Sequence, residues 1–223
     1  MSDFNQTRID MTPRRGFLRR VGSAAALGLA GLMPSALHAQ PAPTRSDGPN
    51  WPGTLKGSYH QVTDAYDFNG GAPFRFTYNF LAPNEAANET ASAVIILRHS
   101  AFPLALNHAM WAKYKIGENL KINDPETKAP AVKNPYFEPK PGILPFEDAA
   151  IDRLLARGVV FGACNVALLG QSKAMSGSAG VTADEAAKEW AANVIPGITV
   201  IASGVWGVNR AQLAGCTYCS GGG

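Results

Sequence analysis

The 223-residue chain carries 20 lysines and arginines against 17 aspartates and glutamates, yet five of those arginines and two of the aspartates lie in the first 39 residues. Residues 40–223 therefore hold 15 charges of each sign, which leaves no basic stripe for a nucleic-acid partner. Three cysteines are too few for a disulfide scaffold, and about 184 residues suit one domain around one core.

The first 39 residues follow the grammar of an export signal. Arg14-Arg15 precede Phe17-Leu18, an Ala- and Gly-rich apolar stretch runs from Val21 to Leu32, and Leu37-His38-Ala39 ends on a small residue. A charged start, a short apolar middle and a cleavage site define a secretory signal. The adjacent arginines mark the twin-arginine type, read by an export receptor. The apolar run falls short of the roughly 20 residues that a membrane span needs. The expected location is the periplasm, with the twin-arginine export machinery as one partner. Residues 40–57, rich in Pro, Gly, Ser and Thr, read as a mobile linker, and 58–223 as a single α/β domain.

Tyr59–Asp64 is the first expected strand, and Phe74–Leu81 is expected to be helical. Ala93–His99 is a continuously apolar strand of the kind buried on both faces. Pro103–Tyr114 reads as a helix. Residues 115–145 hold many prolines and charges without a period and read as a long irregular excursion, which in compact domains is often functional or disordered. A second amphipathic helix is expected over Phe146–Arg157, stopped by Gly158. Val159–Cys164 is the next buried strand, followed by a helix over Asn165–Met175 and a break at residues 177–180. Thr182 and Glu185 form a capping box, opening a helix to about Val194 that buries Ala187, Trp190, Ala191 and Val194. Ile198–Ala202 is the last expected strand, Gly204–Leu213 a short helix, and the tail is Gly-rich. Strands alternating with helices imply a three-layer α/β sandwich with a mainly parallel sheet.

In such sheets ligands bind beyond the carboxyl ends of the strands. Those ends carry Asp64, His99-Ser100, Cys164-Asn165 and Ser203-Gly204. Cys164 follows a buried strand and precedes a helix, where the helix dipole and free N–H groups favour thiolate; a buried cysteine acting as a small apolar residue fits the same position. His99 could deprotonate a thiol or bind a metal, Arg98 could hold an anion, and His108 lies on the helix that follows. Cys216 and Cys219 have C-x-x-C spacing, compatible with a redox pair, a metal site or a disulfide that pins the tail. No phosphate-binding, dinucleotide, zinc-protease or nucleophile-elbow motif is present.

Three segments together resemble the DsrE/DsrF-like family: Ala93–His99 through Asn107–Tyr114, Asp148–Ile151 through Gly158–Asn165, and Ile195–Val200 through Gly204–Gln212 to Gly215–Tyr218. The resemblance spans roughly residues 58–219 and is most marked in an exported branch of that family. It implies a small α/β domain with a parallel sheet, assembled as a homo-oligomer. It also implies a sulfur-relay role, in which a cysteine after a central strand carries sulfur as a persulfide; Cys164 stands at the matching place. The expected function is a periplasmic sulfur carrier or sulfurtransferase acting on a small sulfur-containing or thiol partner. Cys164, His99 and Asn165 would form its site, and Cys216 or Cys219 would serve as a resolving thiol. The alternative is a non-enzymatic, oligomeric module that binds a small ligand or a metal. No cofactor is assigned.

Overall fold

The computed structural model describes residues 50–222. The expected export signal at 1–39 and the linker residues before 50 lie outside them. The strands are β1 (Tyr59–Ala65), β2 (Ala91–Leu97), β3 (Val160–Cys164), β4 (Ile198–Ile201) and β5 (Thr217–Ser220). The helices are α1 (Ala72–Ala86), α2 (His108–Lys113), α3 (Ile116–Leu120), α4 (Ile151–Ala156), α5 (Asn165–Met175), α6 (Ala183–Ala192) and α7 (Gly204–Leu213). Among the described residues no helix is long and apolar enough to cross a membrane.

All strand pairs are parallel, in the order β4-β3-β2-β1-β5. The chain steps from β1 to β4 in one direction, then returns through α7 to the far edge. Alternating strand residues divide between two apolar clusters. Ala93, Ile95, Leu97, Phe161 and Ala163 face the larger one, with Phe74 and Leu81 of α1, Leu154 of α4, Leu168 of α5 and Trp190 of α6. Val62, Val94, Ile96 and Ile201 face the smaller one, with Ala211 of α7 and Cys216. Helices therefore cover both faces, giving the three-layer α/β sandwich. Reversing direction while changing face gives every crossover the same hand, as parallel sheets require.

The second face is thin, and residues from the expected linker help to cover it. Trp51 and Leu55 pack against its cluster, with Trp51 6.1 Å from Trp206 between ring centroids. Within the stretch expected as a linker, the side chains at 51 and 55 are thus partly buried against the sheet. Two glycines make room. A Cβ at Gly162 would lie 2.7 Å from Trp51 Cζ2, and one at Gly207 would collide with Ile201 Cδ1.

Local chemistry explains where elements depart from expectation. The helix expected over Pro103–Tyr114 is broken in two. A 3-10 segment, His99–Ala105, is followed by extended Leu106 and Asn107, and α2 starts at His108. Asn107 caps α2 by accepting the Met110 N–H at 3.3 Å, while Leu106 bridges to Val194. Phe146–Arg157 is also shorter than expected: a 3-10 turn over Glu147–Ala149 leads to extended Ala150 and then α4, and Phe146 is exposed. The capping box at Thr182 and Glu185 forms as its spacing predicts, though Ala186 joins Trp190 as the fully buried pair of α6. The Gly-rich tail holds β5, the strand the periodicity did not reveal, because four residues at a sheet edge show little apolar alternation.

The excursion at 115–145 is largely irregular but anchored. Ile116, Ile122 and Ala131 are buried. Asn134, 2 % exposed, donates to the Leu104 and Leu106 carbonyls at 2.8 and 3.0 Å, and its backbone N–H donates to His108 Nδ1 at 3.2 Å.

Two outcomes follow from this packing. Gly207→Ala is expected to destabilise the domain by about 1–2 kcal/mol in chemical denaturation. The overlap with Ile201 outweighs the roughly 1 kcal/mol of helix propensity that alanine gains. The second concerns His108, whose pKa is lowered from 6.5, first by burial and then by Lys133, against an opposing effect of Glu138. Its neutral ring accepts the Asn134 N–H, and the unfolded chain binds the proton more readily. Its contribution is complete above the unfolded value and is lost as pH falls from there through the lower folded value. Denaturation midpoints measured between about pH 8 and about pH 5 should fall more steeply for the wild type than for His108→Gln.

Candidate functional site

Because the sheet is wholly parallel, the carboxyl ends of its strands share one edge. At the end of β1, Asp64 is 6 % exposed and receives two hydrogen bonds from Arg98, Nε to Oδ1 at 2.6 Å and an Nη to Oδ2 at 2.8 Å. A third comes from the Tyr218 hydroxyl of β5, at 3.1 Å. Asp64 raises the Arg98 pKa through this hydrogen bonding, against burial, which lowers it. Burial and then the Asp64 charge raise that of Tyr218. One carboxylate thus ties together β1, β5 and the residue that follows β2. The Arg98 guanidinium also lies 4.6 Å over the Tyr66 ring.

Beyond this clamp the aromatic groups continue outward. The Tyr66 and His99 rings stack at 4.2 Å with an interplanar angle of 8°. His99 adopts φ 48°, in the left-handed region that non-glycine residues seldom occupy. Its Nδ1 lies 3.2 Å from Ser100 Oγ, which donates to Asp67 Oδ1 at 2.7 Å. The hydroxyl therefore sits between carboxylate and imidazole, unlike a nucleophile triad, in which the imidazole is central.

Asp67 and Ser100 line an open cleft of about 400 Å³. Its walls are the β1–α1 turn at Asp67, Phe68, Asn69 and Gly70, and the end of α3 at Asn119, Leu120, Lys121 and Ile122. Asn119 is held by its side-chain amide donating to the Tyr114 and Lys115 carbonyls and Ser178 Oγ. The irregular excursion thus supplies one wall. Of these residues only Ser100 stood at a strand end in the sequence reading. The Asn69-Gly70 turn signal was the available pointer to the rest.

Cys164 lies elsewhere on the edge. It ends β3, is 6 % exposed, and caps α5 by accepting the Ala167 N–H at 3.4 Å. Asn165 opens α5, and its Oδ1 is buried without a hydrogen-bond partner. The structure does not bring His99 to them: its ring is turned over Tyr66 beyond β1, on the far side of β2. Arg98 is likewise engaged with Asp64.

The terminal cysteines are separate again, and all three thiols are free. Cys219 of β5 pairs with Thr63 of β1, and β5 lies three strand spacings from β3, or about 14 Å at roughly 4.8 Å each. Cys216 packs in the smaller cluster, and burial pushes its thiol up to about 11. Burial also raises the Cys219 thiol. Residues three apart along an extended chain point to opposite faces. The C-x-x-C spacing is therefore not that of a turn-borne redox pair, and neither thiol reaches Cys164 within one chain. Among the described residues no three His, Cys, Asp or Glu side chains converge to hold a metal ion.

No family model matches the chain, and no curated protein matches it. Among solved structures it is similar to the Methanobacterium thermoautotrophicum protein MTH1491, described as of unknown function. The two are 15 % identical, and the match covers 73 % of this chain and 99 % of that one with a TM-score of 0.39.

The clamp makes a direct prediction. Arg98→Ala leaves Asp64 buried without its guanidinium and is expected to cost about 3 kcal/mol in urea denaturation. Asp64→Ala with Arg98→Ala should cost less than the sum of the two single substitutions.

Proposed function

We propose that this protein is a small-ligand-binding module whose ligand occupies the cleft between the β1–α1 turn and the end of α3. The observation that carries this reading is the placement of a cleft of about 400 Å³ at the carboxyl edge of a parallel sheet. It opens beyond the carboxyl end of β1, the edge of the sheet at which ligands of open α/β domains bind. Asp67, Ser100, Asn119 and Lys121 offer polar contacts, while Phe68, Leu120 and Ile122 offer apolar ones. That mixture suits a small polar molecule with some apolar surface. The protein works in the periplasm after twin-arginine export and assembles with copies of itself. Exposed Val166 and Leu169 on α5 and Val205 on α7 support the assembly.

Amide chemical shifts recorded against a library of small polar molecules test the cleft. A true ligand is expected to shift residues 67–70, 100 and 119–122, and Lys121→Ala should weaken its binding about tenfold, the effect of losing one charged hydrogen bond. Ligands that shift only other surfaces would sink this reading.

A second reading is favoured by a specific contact. Cys164 Sγ at the start of the 11-residue α5 accepts a backbone N–H, and the N–H groups of a helix start are suited to hold an anion such as a persulfide. Together with the resemblance to DsrE/DsrF-like proteins, it supports a sulfur carrier using Cys164. Incubation with polysulfide followed by intact mass measurement should add one sulfur atom to the wild type and none to Cys164→Ser. Equal labelling of both proteins would remove Cys164 from the role.

A further inference from the structure

The hydrogen bonds around Ser100 determine where its proton lies. Ser100 Oγ is 2.7 Å from Asp67 Oδ1 and 3.3 Å from the Tyr66 carbonyl oxygen. A carboxylate and a carbonyl can only accept, so the single hydroxyl proton is committed to one of them. Oγ then has only lone pairs for its third neighbour, His99 Nδ1, at 3.2 Å. The imidazole must donate there, its proton sits on Nδ1, and Nε2 carries the free lone pair. This is the less common form of a neutral histidine, and it is held in place. Asp67 is itself fixed by the Phe68 N–H at 2.6 Å, and the ring is stacked on Tyr66. The backbone at His99 sits in the left-handed region, a departure that tends to accompany functional sites.

We infer that Asp67, Ser100 and His99 form a relay that sets the His99 tautomer, making Nε2 the proton acceptor for a ligand bearing an O–H or S–H group beside the cleft. The ligand's X–H bond breaks, an N–H bond forms at Nε2, and the electron pair stays on the ligand's oxygen or sulfur. The imidazolium charge is relieved through Nδ1–H to Ser100 Oγ and on to the Asp67 carboxylate. Asp67 and Ser100 are positioning residues, and His99 is the group that meets the ligand. The ligand part of this inference rests on the cleft being a binding site, while the tautomer part does not.

Two-bond nitrogen–proton correlation spectra of the full chain, labelled with 15N-histidine at about pH 8.5, where imidazole is neutral, test the relay directly. The wild type is expected to show His99 protonated on Nδ1. Ser100→Ala should return it to the Nε2–H form favoured by free histidine, and Asp67→Ala, which releases the hydroxyl proton, should give a mixture. A wild-type His99 protonated on Nε2, or a tautomer unchanged in both variants, overturns the relay. The wild-type spectrum decides even if a variant does not fold. Failure of small molecules to shift residues 67–70 and 119–122 would instead remove the cleft reading and the ligand from this inference, leaving the tautomer result standing.

Discussion

The bidentate clamp of Arg98 on Asp64 organises the carboxyl edge of this sheet. Asp64 is nearly inaccessible, so its charge must be compensated within the protein, and the planar fork of arginine does so at fixed orientation. The same guanidinium then lies over Tyr66, Tyr66 stacks on His99, and Tyr218 brings β5 to the shared carboxylate. Each group depends on the previous one for its position. The polar edge over β1, β2 and β5 is thus a connected structure, while the Cys164 end of β3 stands apart from it.

The unequal faces of the sheet account for the rest of the architecture. Among the described residues, six helices (α1 to α6) place buried side chains in the cluster on one face, and α7 alone crosses the other with Trp51 and Leu55 beside it. One helix of ten residues, about 15 Å long, cannot shield a five-stranded sheet about 19 Å across. Gly162 and Gly207 let the Trp51 indole and α7 approach closely enough to close that layer. Residues from position 51 onward are therefore part of the folded unit.

The three cysteines illustrate how topology separates groups that look related along the chain. Cys216 and Cys219 are three residues apart, yet one lies in the core beneath α7 and the other sits in an edge strand. Cys164 lies across β1 and β2 from both. Burial raises the two terminal thiols, whereas Cys164 meets a helix N–H. Their chemistry is set by strand order and exposure, not by spacing.

Local patterns in the sequence determined the alternation of buried strands and helices, and with it the parallel three-layer class. The start and end of α5 and α7 were legible because their strand-to-helix transitions are abrupt, and α6 was announced by its capping box. The strand-end positions of Asp64, His99, Ser100, Cys164 and Asn165 were legible too, since a buried run must become polar where it leaves the core. Tertiary structure alone decided which of these groups meet. Register places Arg98 against Asp64, and β5 enters the sheet only by pairing with β1. The cleft's second wall comes from an excursion with no period to read. Hydrogen-bond partners come from residues 30 to 154 positions apart, and no local preference of the chain specifies such distant pairings.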